Sequence, residues 1–236
     1  MAAATGKKKT GQVIPISDAL AASSLERPRP PEHLTTMQAM LGEPLFVPAP
    51  ELTAWIGRAY LQEDGPLYFE DHLHLCQARI GALWTNAANE RQGRRIVGQA
   101  ELPANALPKG KWARARGEQQ LREWFGDPPD FLLTFDALYA TDCDDATFAA
   151  LVDHELCHCA QAVDQYGMPR FNKETGEPIW GMRGHDVEEF VSVVRRFGIE
   201  AAGPAATDMV IAAAQKPEIS PVELAQACGT CAARAA

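Results

Sequence analysis

The stretch Asp144-Asp145-Ala146-Thr147-Phe148-Ala149-Ala150-Leu151-Val152-Asp153-His154-Glu155-Leu156-Cys157-His158 carries the reading of the whole chain. It opens with an aspartate suited to capping a helix, and neither proline nor glycine follows until Gly167. Phe148, Leu151, Val152, Cys159 and Val163 recur at spacings that suit a buried helical stripe. His154 and His158 stand four residues apart, so both imidazoles leave one face of the helix. H-E-x-x-H on a helix suits two nitrogen ligands of a single Zn²⁺, each at about 2.0–2.1 Å. Glu155, between them, is placed to act as general base on a water activated by the metal. The pattern implies metal-dependent hydrolysis, with a peptide bond as the first substrate to consider.

A catalytic zinc usually takes three protein ligands and keeps one position open. His185 ranks first for the third place. It lies in Gly184-His185-Asp186-Val187-Glu188-Glu189-Phe190, where Val187, Phe190, Val191, Val194 and Phe197 predict a second helix closed at Gly198. Glu188 or Glu189 ranks second, giving two histidines and a carboxylate. Asp164 ranks third. It occupies the last ligand position of the compact H-E-x-x-H-x-x-G-x-x-H pattern, but Gln161 stands where that pattern needs glycine to turn the chain back. Carboxylates not on the metal, among Asp186, Glu188 and Glu189, are expected to orient the ligand rings through their other nitrogens. Tyr139, Tyr166 and Arg183 are candidates to stabilise an oxyanion, and none is singled out. His72 and His74 alternate onto one face of an expected strand and receive no role.

The pair His154-Glu155-Leu156-Cys157-His158 and Gly184-His185-Asp186-Val187-Glu188-Glu189-Phe190 resembles the SprT-like zincins, which include Spartan-type DNA–protein crosslink proteases. It resembles the phage metallopeptidase family more closely still, whose members carry a similar Asp-His-Glu-Leu-x-His segment and a later His-Asp-x-Glu-Glu-Phe. The resemblance spans roughly residues 50–200, with its specific part in those two blocks. It implies a small zincin fold, His154, His158 and His185 on zinc, and Glu155 as base. The chain departs from Spartan-type proteins in its acidic balance and in lacking a zinc ribbon or basic DNA-binding tail.

A formal charge of −9 repels phosphate backbones, so the expected partner is a protein or peptide substrate rather than nucleic acid. No apolar run reaches the 18 or so residues of a membrane span, and no apolar segment follows Lys7-Lys8-Lys9 to make a secretory signal. The expected location is the cytoplasm of a bacterial host, where the six cysteines would be thiols. Cys157 reads as packed rather than metal-bound. Cys228-Gly229-Thr230-Cys231 is half of a zinc site and finds no second pair at ribbon spacing.

The chain divides into a disordered tail over 1–34, a zincin-like metallopeptidase domain over 35–200, and a C-terminal helical extension with the C-x-x-C over 201–236. Helices are expected over Glu51 to Leu61, Lys111 to Phe125 and Pro204 to Ala214, with a short capped helix from Ser220. Strands are expected within Leu73 to Thr85, over Arg95 to Ala100 and over Phe131 to Asp136, the last as lip of a cleft that a peptide could join. This order gives an α+β fold, a short mixed sheet packed on the metal-binding helix. The competing function is a binding module that keeps the scaffold and a structural zinc without turnover.

Overall fold

The fold is that of a computed structural model, which describes residues 25–91, 93–187, 203–217, 227 and 228 and the single positions 18, 194, 198 and 199. Its elements in chain order begin with a 3-10 turn (Glu32–Leu34), α1 (Met37–Leu41), β1 (Phe46–Pro48) and α2 (Pro50–Ile56), which runs on as a wider π-helical turn over Gly57–Leu61. A 3-10 segment, Glu70–Gln77, leads to β2 (Ile80–Thr85), β3 (Glu90–Arg91) and β4 (Arg94–Glu101). Then come α3 (Pro103–Ala106), α4 (Lys111–Phe125), β5 (Phe131–Asp136), α5 (Ala137–Asp142) and α6 (Asp145–His158). The hairpin strands β6 (Cys159–Gln161) and β7 (Trp180–Met182), α7 (Pro204–Ala213) and β8 (Ala227–Cys228) complete the described elements. Among the described residues no helix is long and apolar enough to cross a membrane.

The architecture is α+β. One mixed sheet runs in the order β1-β2-β5-β4-β3, with β8 lying parallel to β4 at Ile96 and Gly98. β2 and β5 are parallel, while β1 and β4 run antiparallel to their neighbours β2 and β5. Five of the six residues of Phe131–Asp136 are buried, as expected of a strand covered on both faces. β2 and β4 take both of its edges, so this strand is interior and cannot form a cleft lip. On one face Leu83 and Leu132 pack with Leu121 of α4. On the other, Phe135, Trp84 and Phe148 of α6 stack with ring centroids 5.4–6.2 Å apart, and Trp55 of α2 joins at 6.4 Å from Phe148.

Several local expectations change. Glu70–Gln77 is 3-10 helix rather than strand, because both of its histidines turn inward to bond α6 and the residue after it. The metal helix stops at His158 rather than running towards Gly167. Cys159, Ala160 and Gln161 pair with Met182, Gly181 and Trp180, so sheet bonds replace helical ones without any local breaker. Val163, expected in the buried stripe, lies on this hairpin and is 56% exposed. The expected tail is ordered before its predicted end: Leu25 and Leu34 are buried, and the Arg27 guanidinium lies 4.6 Å from the Phe148 ring centre while pairing with Asp145. The remainder of 1–24, apart from Asp18, lies outside the described residues, as do most of the helix expected after His185 and the short helix from Ser220.

Asp144 caps α6 by accepting from Thr147 N at 2.7 Å, and Tyr60 donates its hydroxyl to Ala149 O at 2.8 Å from across the core. Phe148, with no exposed surface, is where the helix joins the aromatic cluster. Phe148→Ala should cost about 3–5 kcal/mol of folding free energy. Urea denaturation measures it, and an unchanged midpoint would show that the cluster does not anchor α6.

Candidate metal centre

The last turn of α6 presents His154 and His158 towards the segment that follows β7. The β6–β7 register sets Met182 opposite Cys159, so the chain emerges beside the helix end and reaches His185 three residues later. The Nε2 atoms of His158 and His154 lie 3.3 Å apart, and those of His185 and His154 3.5 Å apart. The ring centroids form a nearly equilateral triangle of 5.0, 5.2 and 5.2 Å. For ligands about 2.0–2.1 Å from a tetrahedral ion, neighbouring donors should stand about 3.3–3.4 Å apart. The two nitrogen separations from His154 match that spacing, all three donors lie within 4.8 Å of one another, and the donor set suits zinc or a similar borderline metal.

His158 is almost fully buried, and its orientation is set by the hairpin. Its Nδ1–H donates to Arg183 O at 2.8 Å, which leaves Nε2 as the acceptor nitrogen facing the other two rings. Arg183 N returns a bond to His158 O at 2.9 Å. A backbone carbonyl, not the expected carboxylate, thus orients this ring. Asp186 instead pairs with the Arg183 guanidinium. Glu188 and Glu189 lie outside the described residues. Asp164 is spent on a hairpin turn, where its Oδ1 accepts from Tyr166 N and Met168 N. Of the three ranked candidates for the third place, the structure brings His185 to the other two histidines.

Glu155 has no exposed surface and lies on the side of α6 that faces β4. The close approach there depends on Gly98. A Cβ at that position would stand 2.9 Å from Glu155 Oε1 and 2.9 Å from Leu151 Cδ1. Glycine inside a strand is the usual sign of a close approach to its backbone, and Gly98 is the one signal in the sequence that points to this packing. His72 was left without a role and proves to be buried, its Nε2–H donating to Asp153 Oδ1 at 2.7 Å. His74 Nε2 bonds Cys159 O at 2.8 Å, so the two histidines hold Glu70–Gln77 against the metal helix. Cys157 is exposed, contrary to the packed position expected of it, while Cys159 is the buried one. Among the oxyanion candidates, Tyr166 is exposed on the hairpin turn and Tyr139 packs at the start of α5. Arg183 brackets the site through its carbonyl and its pairing with Asp186.

Burial lowers the His154 pKa from 6.5 to about 4, the neighbouring His158 and His185 rings add to the shift, and Asp153 opposes it. The ring is therefore neutral and ready to ligate down to mildly acidic pH.

A family model described as "Putative phage metallopeptidase" matches residues 53–215, a span that includes all three clustered histidines and Glu155. No curated protein and no solved structure matches the chain significantly.

Two outcomes follow from this geometry. Gly98→Ala should displace the Glu155 carboxylate or the strand beside it, lowering turnover at least tenfold while metal content stays near the wild-type value. Unchanged turnover would show that the close packing at Gly98 is not needed. In metal-free protein, an unfolded His154 takes up its proton near pH 6.5 and the native ring only near 4. Its contribution to stability is present above about 6.5 and falls away as pH drops towards 4. Over that window the urea midpoint of wild type should fall relative to that of His154→Asn. A constant gap would refute the assignment.

Proposed function

We infer, for a chain that belongs to the phage metallopeptidase family, that it hydrolyses peptide bonds in a protein substrate with zinc held by His154, His158 and His185. The family carries the coarser part: a metallopeptidase, hence a metal ion and a protein substrate. The observation that supports the finer part is the triangle of imidazole nitrogens at 3.3 and 3.5 Å beside a fully buried Glu155.

When bound, the metal supplies Lewis acidity, polarising the scissile carbonyl and lowering the pKa of water to about 7. The remaining work falls to side chains of the chain. Glu155 takes the proton from the attacking water and delivers it to the leaving amine. Its burial against Gly98 keeps the carboxylate in one place, so no ordering entropy is spent at the moment of proton transfer. His158, tied to Arg183 at both its ring and its carbonyl, holds the end of α6 rigid. His185 is exposed and His154 partly so, which leaves the approach for an extended peptide on their side of the cluster. The Arg183 guanidinium, half exposed and paired with Asp186, the residue after His185, is the cation among the described residues that this reading assigns to a developing oxyanion. The reading places the enzyme in the cytoplasm of a bacterial host.

Glu155→Gln should retain one zinc per chain and lose casein hydrolysis by about 10²–10⁴-fold. His185→Ala should lose metal affinity as well as activity. Undiminished cleavage by Glu155→Gln would overturn the assigned base. Wild-type protein that holds zinc but cleaves neither casein nor itself, with or without chelator, would favour the binding-module reading instead.

A further inference from the structure

Helix α6 carries a second pair of donors, one residue before the first. Asp153 and Cys157 are four apart, as are His154 and His158, so they project from a neighbouring face about 100° round the helix. Against that face lies His72, its side chain 1% exposed, with Nε2 2.7 Å from Asp153 Oδ1. One donor atom each from His72, Asp153 and Cys157 all fall within 4.8 Å of one another. This group shares no residue with the three clustered histidines.

We propose that His72, Asp153 and Cys157 form a second divalent-metal site that takes zinc, clamping the Glu70–Gln77 segment to the metal helix. The donor set is one nitrogen, one oxygen and one sulfur, a combination that suits zinc and disfavours magnesium or calcium. Asp71, on the same 3-10 segment, and Asp186 add negative charge close to Cys157, where the Arg183 guanidinium acts in the opposite sense. The His72 Nε2–Asp153 Oδ1 separation of 2.7 Å is that of a hydrogen bond, shorter than the roughly 3.3–3.7 Å of donors on one tetrahedral zinc, so this pair opens as the ion enters. Asp153 is 45% exposed at its side chain and Cys157 is exposed, so both can turn inward without disturbing the core. His72, already buried, is the fixed corner. On binding, the Cys157 thiol gives up its proton to solvent. The His72 ring proton moves from Nε2, where it now serves Asp153, to Nδ1, and Nε2 turns its lone pair to the metal. A simple His72–Asp153 hydrogen bond would account for that pair, but it gives the thiol no part. The proposal does not depend on the catalytic reading, because its donors are a separate set.

The test is metal content together with cobalt spectroscopy on the full chain. After equilibration with buffered zinc, wild type should hold about two equivalents and Cys157→Ser about one. Cys157 is exposed, so that substitution leaves the packing intact. The cobalt-loaded protein should show a near-ultraviolet thiolate-to-cobalt band, since sulfur is absent from the histidine cluster. The band should vanish in Cys157→Ser and persist in a Cys228→Ser, Cys231→Ser variant. His72→Gln should likewise lose one equivalent and the band. A single equivalent in wild type that survives Cys157→Ser, two in Cys157→Ser, or a band that follows Cys228 and Cys231 would each overturn the site. Loss of hydrolysis in Glu155→Gln with both equivalents retained leaves the two assignments separately readable.

Discussion

Two hydrogen bonds between His158 and Arg183 govern the geometry of the site. One ties the ring to a backbone carbonyl, and the other ties the two main chains together. The first selects the tautomer in which Nε2 is an acceptor. The second starts the β6–β7 pairing that returns the chain, after a long excursion, to within reach of the helix it left. Without it, His154 and His158 would still share a helical face, but His185 would have no reason to stand 3.5 Å from His154. A metal site needs donors from distant parts of the chain to be held at spacings set by the ion. Among these three histidines a short antiparallel ladder sets the spacing.

The opposite side of the helix is fixed by a different constraint, the absence of a side chain at Gly98. Burying a carboxylate is costly unless its surroundings compensate it, and one held in a single rotamer gains in orientation what it loses in solvation. The sheet can come this close to Glu155 because one of its strands carries a glycine where the helix crosses. Phe148, two turns earlier, locks the same helix into the Trp55, Trp84 and Phe135 cluster. Core packing and site geometry thus share one element, and damage to either reaches the other through α6.

Much of the local structure was legible in the residues. The Asp144 cap, the helix over Lys111–Phe125, the strands Arg94–Glu101 and Phe131–Asp136, and the proline-started helix Pro204–Ala213 all follow from short-range chemistry. The readings that changed depend on partners far along the chain. Residues 159–161 would have continued a helix as readily as they form a strand, and only Trp180–Met182 decides. His72 and His74 looked like alternating strand residues until Asp153 and the carbonyl of Cys159 turned both inward. Leu25 and Arg27 sit in a composition that reads as a tail, yet Leu25 is buried with the core and Phe148 and Asp145 hold Arg27.

Sequence alone determined that two histidines and a glutamate lie on one helix with metal-site spacing, because helical periodicity is a property of consecutive residues. It also ranked His185 first for the third corner, from the residue type and its neighbours. The tertiary structure decided that His185 rather than Asp164 arrives there, that a main-chain carbonyl orients His158, and that β4 supplies the floor under Glu155. Those outcomes rest on hairpin register and helix–sheet contact. Both pair residues with no proximity along the chain, so no local pattern encodes them.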